Sequence, residues 1–275
     1  MKERLKHLLK KSPRLYSLVV KVYLYTALKS RYLEERLLGT RITEKEWATR
    51  HLRRGNDWND TKHPGDDDEW VKSYWDSRDH SHRQFLLEHI TKFSPVSSVL
   101  EIGCNCGPNL YLLARKFPDS QIVGIDINPE AVRKGNEWFA QEGIKNIRLL
   151  VGKADELGQF KDRSFDVVFT DAVLIYVGPD KIKEVVKGML RITRRALIFF
   201  EWHSFGCASN PRGVYVGHWM RDYVALLREF VAEESIHTIK MPEELWADKY
   251  WQKYGAIIEV TVEDQKHKIE GVTHK

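Results

Sequence analysis

The sequence is poor in cysteine and has no long uncharged apolar segment, and each absence argues against a class of protein. Three cysteines are too few for a disulfide framework. Two of them, Cys104 and Cys106, lack a second ligand pair at metal spacing. The longest apolar segment, residues 15–25, contains Lys21 and is shorter than the roughly 20 residues of a membrane-spanning helix. No small-residue cleavage site follows it, so a signal peptide is not expected.

Positive charge is concentrated near the amino terminus. Residues 1–31 contain nine lysines and arginines against a single acid, Glu3. This pattern fits a basic amphipathic helix on an anionic membrane, or a helical extension packed on this chain or on a second copy. No nucleic-acid-binding motif accompanies the charge, so a nucleic-acid partner is not expected. The sequence leaves the oligomeric state open.

One glycine-containing segment, residues 99–110 (VLEIGCNCGPNL), is the strongest indication of function. An apolar run ends at Glu101, then Gly103 and Gly107 follow four residues apart, and Pro108 opens an amphipathic stretch. This order is typical of a strand, a tight loop and a helix amino terminus, from which α/β folds build nucleotide-type sites. Because open parallel sheets bind ligands at the carboxyl ends of their strands, we expect Glu101 to face a ligand.

Three further short apolar runs, which begin near residues 121, 147 and 165, also lead to an acid. These acids are Asp126, Asp155 and Asp171. A single acid at such a position is often only a helix cap. Four acids at consecutive strand ends predict a carboxylate-lined edge of one sheet. The acid after the second strand suits ribose hydroxyls, since a carboxylate accepts two hydrogen bonds at once.

Residues 97–200 resemble a class I S-adenosylmethionine-dependent methyltransferase. Glu101, Gly103 and Gly107 match the glycine motif of that family, while Asn105 stands where a middle glycine is usual. Asparagine tolerates left-handed backbone better than most residues do. The resemblance implies S-adenosylmethionine as cofactor, with one acid on the ribose and another on the adenine. The implied cofactor-binding residues are Glu101, Gly103, Asn105, Gly107, Asp126, Ile127, Ala154, Asp155 and Asp171.

A nicotinamide dehydrogenase shares the strand–glycine–helix opening and is the natural alternative. The spacing G-x-G-x-x-G is absent, because position 105 is asparagine. An acid two residues before the first glycine would also repel a pyrophosphate. A sulfonium amino acid carries a cationic amine and no phosphate, so the acidic edge favours a methyltransferase.

Helices before the first strand commonly cover the cofactor in this family. By that resemblance Tyr74, Trp75 and Arg78 are candidates to cover the methionine end or the substrate, with Arg78 suited to a carboxylate. Helix packing is the alternative role for the two aromatic residues. A loop at residues 56–69, with its turn at 64–65, is predicted to precede them.

His80 and His82 have the spacing of a metal-ligand pair. On a helix that starts near Ser81, however, the two side chains should not face one point. We therefore expect no metal site.

The whole pattern predicts an α/β fold, a Rossmann-like doubly wound seven-stranded sheet with one antiparallel strand and a helical N-terminal extension. The sheet should end with strands at 235–241 and 255–262, preceded by a helix at 219–232. The domain boundaries that follow are a basic amphipathic helical extension at 1–40, a helical lead-in at 41–93, a methyltransferase domain at 94–265 and a flexible tail at 266–275.

An aromatic insertion, residues 202–218, follows the predicted fifth strand. Loops at this edge carry specificity, while the sheet carries the cofactor. The substrate-pocket candidates near this edge are Tyr176, Glu201, Trp202, His203, Phe205, Tyr215, His218 and Trp219.

The implied reaction is an in-line displacement of the methyl group from the sulfonium. A hydroxyl acceptor needs a base, for which His203 is the first candidate and His218 the second. Each histidine can equally be a hydrogen-bonded pocket residue that moves no proton. An amine acceptor would need no base.

The acceptor is expected to be a small molecule or a glycan. The segment after Asp171 lacks the paired prolines of enzymes that methylate nucleic-acid base amines, and the nine tryptophans suit stacking on sugars. A loose resemblance to polysaccharide-assembly methyltransferases points the same way. We expect a cytoplasmic protein with possible peripheral membrane contact through residues 1–31. The alternatives are a lipid methyltransferase and a catalytically inactive binding or scaffold protein, for which Asn105 is the only hint.

Overall fold

A computed structural model describes residue 33 and residues 39–50, 67–205 and 211–262. The predicted basic segment at 1–31, the turn at 64–65 and the tail at 266–275 lie outside the described residues.

Seven strands form one mixed sheet with the order β3-β2-β1-β4-β5-β9-β8. The strands of this sheet are β1 (Ser98–Ile102), β2 (Gln121–Asp126), β3 (Ile147–Val151), β4 (Phe165–Asp171), β5 (Thr193–Trp202), β8 (Ile236–Lys240) and β9 (Gly255–Thr261). Strands β1 to β5 pair in parallel, whereas β9 runs antiparallel to both β5 and β8. The order turns at β1 and β4, where the carboxyl ends open a crevice. The predicted fold class is confirmed.

Eight α-helices flank the sheet in the described ranges. They are α1 (Arg41–Ala48), α2 (Asp67–Asp76), α3 (Ser81–Thr91), α4 (Pro108–Lys116), α5 (Pro129–Gln141), α6 (Ile182–Ile192), α7 (Tyr223–Leu227) and α8 (Lys249–Tyr254). Helix α4 starts at Pro108, as the sequence predicts, whereas α2 starts at Asp67, inside the loop predicted at 56–69. Pro108 and Pro129 occupy first-turn positions, and the Asn128 side chain accepts hydrogen bonds from the backbone N–H groups of Glu130 and Ala131.

Two apolar layers bury the sheet, one on each face. The alternation along β1 sends Val99 to the layer that holds α2, α3, α4 and α5, and Leu100 to the layer that holds α6 and α7. Because every residue of β1 is buried, its register is tightly specified, and Glu101 is held at the carboxyl edge.

The helix predicted at 219–232 is wrong at both ends, since the observed helix spans only Tyr223–Leu227. Trp219–Met220 (β7) pairs with Val214–Tyr215 (β6), and α7 starts only after Asp222, whose side chain accepts from the N–H of Ala225. The fully buried Arg221 donates hydrogen bonds to the carbonyls of Leu174 and Val177. Because these hydrogen bonds fix Arg221, the chain around it stays extended, although the local sequence pattern favours a helix there.

In the part of the chain that the structure describes, no helix is long and apolar enough to cross a bilayer.

Candidate active site

A cleft of about 380 Å³ opens at the carboxyl ends of the strands, between the sheet and the helices α1, α2 and α3. All four acids predicted at the strand ends line it. They are Glu101, Asp126, Asp155 and Asp171. The four carboxylates therefore lie at one edge of the sheet, as expected. Each of them has different neighbouring side chains.

The glycine loop forms one wall of the cleft with three residues of positive φ. Gly103, Asn105 and Gly107 have φ values of 75°, 51° and 83°, so asparagine does adopt the left-handed backbone expected of it. A Cβ on Gly103 would collide with the side chain of Val173, and the Gly103 N–H donates to the carbonyl of Ile125 at 2.7 Å. The sharp turn brings loop backbone against the cleft, while Gly107 lies behind it, against Phe139.

Glu101 is 2% exposed, and only one of its two carboxylate oxygens accepts a hydrogen bond from the described residues. Its Oε1 accepts from the side-chain amide of Asn109 at 2.7 Å, whereas Oε2 has no partner in the described residues. Burial raises the pKa of this carboxyl to about 8, and the neighbouring Asp171 adds to the shift. A buried acceptor without a partner is costly, so a cationic donor in the cleft would be stabilised here.

The pKa of Asp171 is shifted in the opposite direction from that of Glu101. Its Oδ2 lies 3.2 Å from His82 Nε2, 2.9 Å from the amide of Asn109 and 3.4 Å from Arg83. Although burial alone would raise it, His82 and Arg83 bring the pKa of Asp171 down to about 2. Its Oδ1, like Glu101 Oε2, has no partner in the described residues. Each of the two acids thus has one buried oxygen without a partner in the described residues.

Asp126 is held by backbone donors. Its two carboxylate oxygens accept from the N–H groups of Asn105, at 2.7 Å, and Asn128, at 2.8 Å. Burial raises its pKa to about 6, against the opposing effect of these two bonds. Each oxygen retains a lone pair, so the carboxylate can accept two further hydrogen bonds from a diol. Ile127 follows it along the cleft wall.

The far end of the cleft is closed by α1. Asp155, beside Ala154, forms an ion pair of 2.6 Å with Lys181, which also contacts Glu44 of α1. Thr40, just before α1, donates to Asp180 through its backbone N–H, at 2.9 Å, and through its hydroxyl, at 2.7 Å. These contacts hold the amino-terminal helix across the adenine end that the resemblance implies.

Two of the predicted substrate residues, Tyr74 and Tyr176, line the cleft. Trp47 packs edge-on against Tyr176 with ring centroids 4.8 Å apart. Burial raises the pKa of both tyrosines, so their phenols stay neutral and can donate hydrogen bonds.

Arg78 is absent from the cleft, which corrects the prediction that it meets a carboxylate there. Its guanidinium stacks 4.1 Å from the ring centroid of Trp75 and pairs with Glu142 at 3.1 Å, while Trp75 is buried in the core. The cleft arginine is Arg83, which donates to Asn109 at 2.8 Å and to the Ser77 carbonyl at 2.9 Å.

Three other substrate candidates are also away from the cleft. Glu201 is fully buried and accepts three backbone N–H groups of the turn at residues 173–175, at 2.9–3.2 Å. Trp202 is buried against Tyr250, and Tyr215 packs on Trp219 of the small β6–β7 ribbon. Glu201 therefore holds the loop after β4 in place, because both of its carboxylate oxygens accept backbone N–H groups of that loop.

The two histidines predicted as bases do not line the cleft either. His203 is 6% exposed, its Nδ1 accepts from the N–H of Tyr223 at 3.3 Å, and its ring packs edge-on against Phe205. His218 packs edge-on against Tyr176 and Trp202, behind the cleft wall. The aromatic insertion thus supports the wall and contributes none of its predicted residues to the lining.

His80 and His82 both line the cleft, although the sequence analysis expects their side chains not to face one point. His80 is the N-cap of α3, and its Nδ1 lies 2.5 Å from Nδ1 of His82. The expectation that these rings face apart is wrong, because a capping residue lies outside the helix and turns back over its first turn. No cluster of three or more metal-ligand side chains occurs in the ranges described.

Comparison with known proteins agrees with this site. A family model described as "Methyltransferase domain" matches residues 99–196. A curated relative from Mycobacterium avium, named "Putative O-methyltransferase", is 36% identical over 121 residues. The match covers 41% of this chain and 54% of the relative, so the chain spans about half the length of the curated relatives it matches.

Solved structures share the fold. Magnesium protoporphyrin IX methyltransferase from Synechocystis, with bound S-adenosylmethionine, superposes with a TM-score of 0.53 and 15% identity, over 82% of this chain and 97% of that one. A methyltransferase from Aquifex aeolicus gives a TM-score of 0.51 and 17% identity, over 71% and 98%.

The unpartnered carboxylate oxygens fit the ammonium group of S-adenosylmethionine, and the diol-binding geometry of Asp126 fits its ribose. Residues 99–196 of this chain match the family model of a methyltransferase domain.

Proposed function

We propose that this protein transfers a methyl group from S-adenosylmethionine to a hydroxyl group of a small molecule. The observation that carries the proposal is the pair of buried acids that line the cleft, Glu101 and Asp171, each with one oxygen left without a partner in the described residues. The Asp171 carboxylate would repel an anionic ligand, whereas an amino-acid ammonium supplies the missing donors.

The same arrangement supports a position for the rest of the cofactor. Asp126 would accept the ribose hydroxyls, and the wall at Ala154 and Asp155 would meet the adenine. When bound, the sulfonium supplies an already activated methyl group. The protein's own contribution is then alignment and the exclusion of water, which the buried loop and α1 favour.

Two observations support a small hydroxyl acceptor. The curated relatives are named as O-methyltransferases. The cleft carries the aromatic residues Trp47, Tyr74, Tyr176 and Trp246, whose faces suit a planar ring or a sugar. A glycan of a polysaccharide pathway is therefore the first acceptor class to test, followed by phenols. A cytoplasmic location and membrane contact through residues 1–31 remain proposals from sequence.

Calorimetric titration with S-adenosylhomocysteine tests the cofactor site. We expect wild type to bind it, and Asp126→Ala to bind it at least ~10-fold more weakly because two hydrogen bonds to a charged acceptor are lost. Asp119→Asn, an exposed acid at the opposite end of β2, is the matched control and should bind like wild type. Folded wild type that binds no cofactor would favour the scaffold alternative.

A further inference from the structure

Two neighbouring histidines of the cleft form one hydrogen-bonded arrangement. His80 is the N-cap of α3: its Nδ1 accepts from the backbone N–H of His82 at 3.4 Å and lies 2.5 Å from Nδ1 of the same residue. The other ring nitrogen of His82, Nε2, lies 3.2 Å from the Asp171 carboxylate. His82 is buried, and its ring packs on Trp246 and Phe200, with centroids 4.3 and 5.9 Å away. This packing fixes the orientation of the His82 ring.

These contacts assign the hydrogens of both rings. His80 Nδ1 faces two donors of His82, so it is an acceptor, and the hydrogen of the neutral His80 ring is on Nε2. His82 has an acceptor at each nitrogen, so hydrogens on both nitrogens satisfy both contacts, and the ring is an imidazolium. Burial, His82 and Arg83 lower the pKa of His80, and Asp171 opposes them, so the His80 ring is neutral at neutral pH.

The Nε2–H of His80 is a donor without a partner in the described residues. His80 lines the cleft and is only partly buried. The indole of Trp246 also lines the cleft, and its ring centroid lies 5.2 Å from that of His80. The donor therefore suits an acceptor oxygen on a molecule that also offers an apolar or aromatic surface.

The charges around this donor favour an anion. His82 and Arg83 carry two positive charges against the single negative charge of Asp171. The His82 imidazolium bonds to both His80 and Asp171, so it lies between the donor and the carboxylate. An oxyanion on His80 is thus nearer to a cation than to Asp171, and the sulfonium of a bound cofactor adds further positive charge to the cleft.

We propose that the Nε2–H of His80 donates to a negatively charged oxygen of the methyl acceptor, a carboxylate or the phenolate of an acidic phenol; this narrows the proposed function and rests on it. The ionised oxygen attacks the methyl carbon. An O–C bond forms while the C–S bond breaks, and the electron pair of the broken bond stays on sulfur. The charges of the oxyanion and the sulfonium cancel and no proton moves, so the step needs no base.

This requirement divides the acceptor classes proposed above. A sugar acid and an acidic phenol each supply an oxygen that is ionised near neutral pH. An uncharged sugar hydroxyl does not, and it would need a base to take its proton.

Nitrogen-15 NMR of the histidine-labelled full-length protein, saturated with S-adenosylhomocysteine, tests the protonation states. The variants His80→Asn and His82→Gln identify the two sets of signals, and His237→Asn, on the exposed face of β8, is the control. At neutral pH we expect hydrogen on both nitrogens of His82, and on Nε2 but not on Nδ1 of His80. Hydrogen on His80 Nδ1 with a bare Nε2 would overturn the proposal.

Paired probe molecules, added to the same labelled sample at about pH 7.5, test the charge requirement. Benzoate and 4-nitrophenolate are oxyanions of the two classes, and benzamide and 4-nitroaniline are their uncharged counterparts of similar shape. We expect at least one oxyanion to shift the Nε2 signal of His80 until it saturates, and to bind ~10-fold or more tightly than its counterpart. The oxyanion that does so identifies the acceptor class. Oxyanions that leave this signal unmoved, or that bind no more tightly than their counterparts, would overturn the proposal.

The variant His80→Asn separates ligand binding from folding. Asparagine is a good N-cap residue, so α3 keeps its cap while the Nε2–H donor is removed. We expect the affinity for the oxyanion to fall ~10-fold or more, and the affinity for S-adenosylhomocysteine, measured by calorimetry, to stay within ~3-fold of wild type. Unchanged oxyanion affinity in this variant would contradict the proposal. Failure of wild type to bind S-adenosylhomocysteine would instead contradict the proposed function.

Discussion

Replacing Glu101 with glutamine should weaken cofactor binding and stabilise the unliganded fold at the same time. Glutamine has the same shape and keeps an acceptor for Asn109, but it presents no charge to the cleft. A hydrogen bond between charged groups contributes about 1.5–3 kcal/mol, so the dissociation constant for S-adenosylhomocysteine should rise roughly 10- to 150-fold at pH 8.

The stability change has the opposite sign and a definite pH dependence. The pKa of Glu101 rises from 4.5 to about 8 on folding because the carboxyl is buried. Between those values the unfolded chain ionises and the folded chain does not, so wild type loses stability as pH rises. Relative to wild type, Glu101→Gln should gain about 1 kcal/mol in unfolding free energy at pH 5 and about 4 kcal/mol at pH 8.

Urea unfolding at the two pH values and calorimetry at pH 8 measure both effects, with Asp119→Asn as the control. A Glu101→Gln variant that folds normally and binds the cofactor like wild type would refute the assignment of Glu101 to the ammonium group. A stability gain that does not grow with pH would refute the account of its burial.

Two further predictions concern the backbone of the site. Gly103→Ala should lower the unfolding free energy by at least ~2 kcal/mol in urea titration, because φ is 75° and the new Cβ collides with Val173. Adding Val173→Ala should recover part of the loss. A Gly103→Ala protein as stable as wild type would show that the loop is not constrained in this way. Glu201→Gln should lower the unfolding free energy by about 1–3 kcal/mol, since one amide oxygen cannot accept the three N–H groups held at residues 173–175. An effect only on turnover, with unchanged stability, would return Glu201 to the substrate-pocket candidates.

The sheet and the cofactor edge are predictable because their signals are local. Each strand is a short apolar run, and the acid that ends it falls at the carboxyl edge by strand polarity alone. The parallel register then brings Glu101, Asp126, Asp155 and Asp171 together. The third apolar run is predicted to begin near residue 147, and β3 begins at Ile147.

The acceptor side is not predictable in the same way, because it depends on how helices end and pack. A 3₁₀ turn at Ser77–Asp79 interrupts the chain between α2 and α3, so Arg78 faces Glu142 and Arg83 faces the cleft. His80 reaches His82 only because it caps α3. His203 follows the buried strand β5, is itself buried and does not line the cleft. Sequence spacing carries none of this information.

A crystal structure with S-adenosylhomocysteine bound would test the central claim most directly. The account predicts that the homocysteine nitrogen lies about 3 Å from Glu101 Oε2 or Asp171 Oδ1, and that the ribose hydroxyls lie about 3 Å from the Asp126 carboxylate. A ligand bound elsewhere, or one that leaves both of those carboxylate oxygens without a partner, would contradict it.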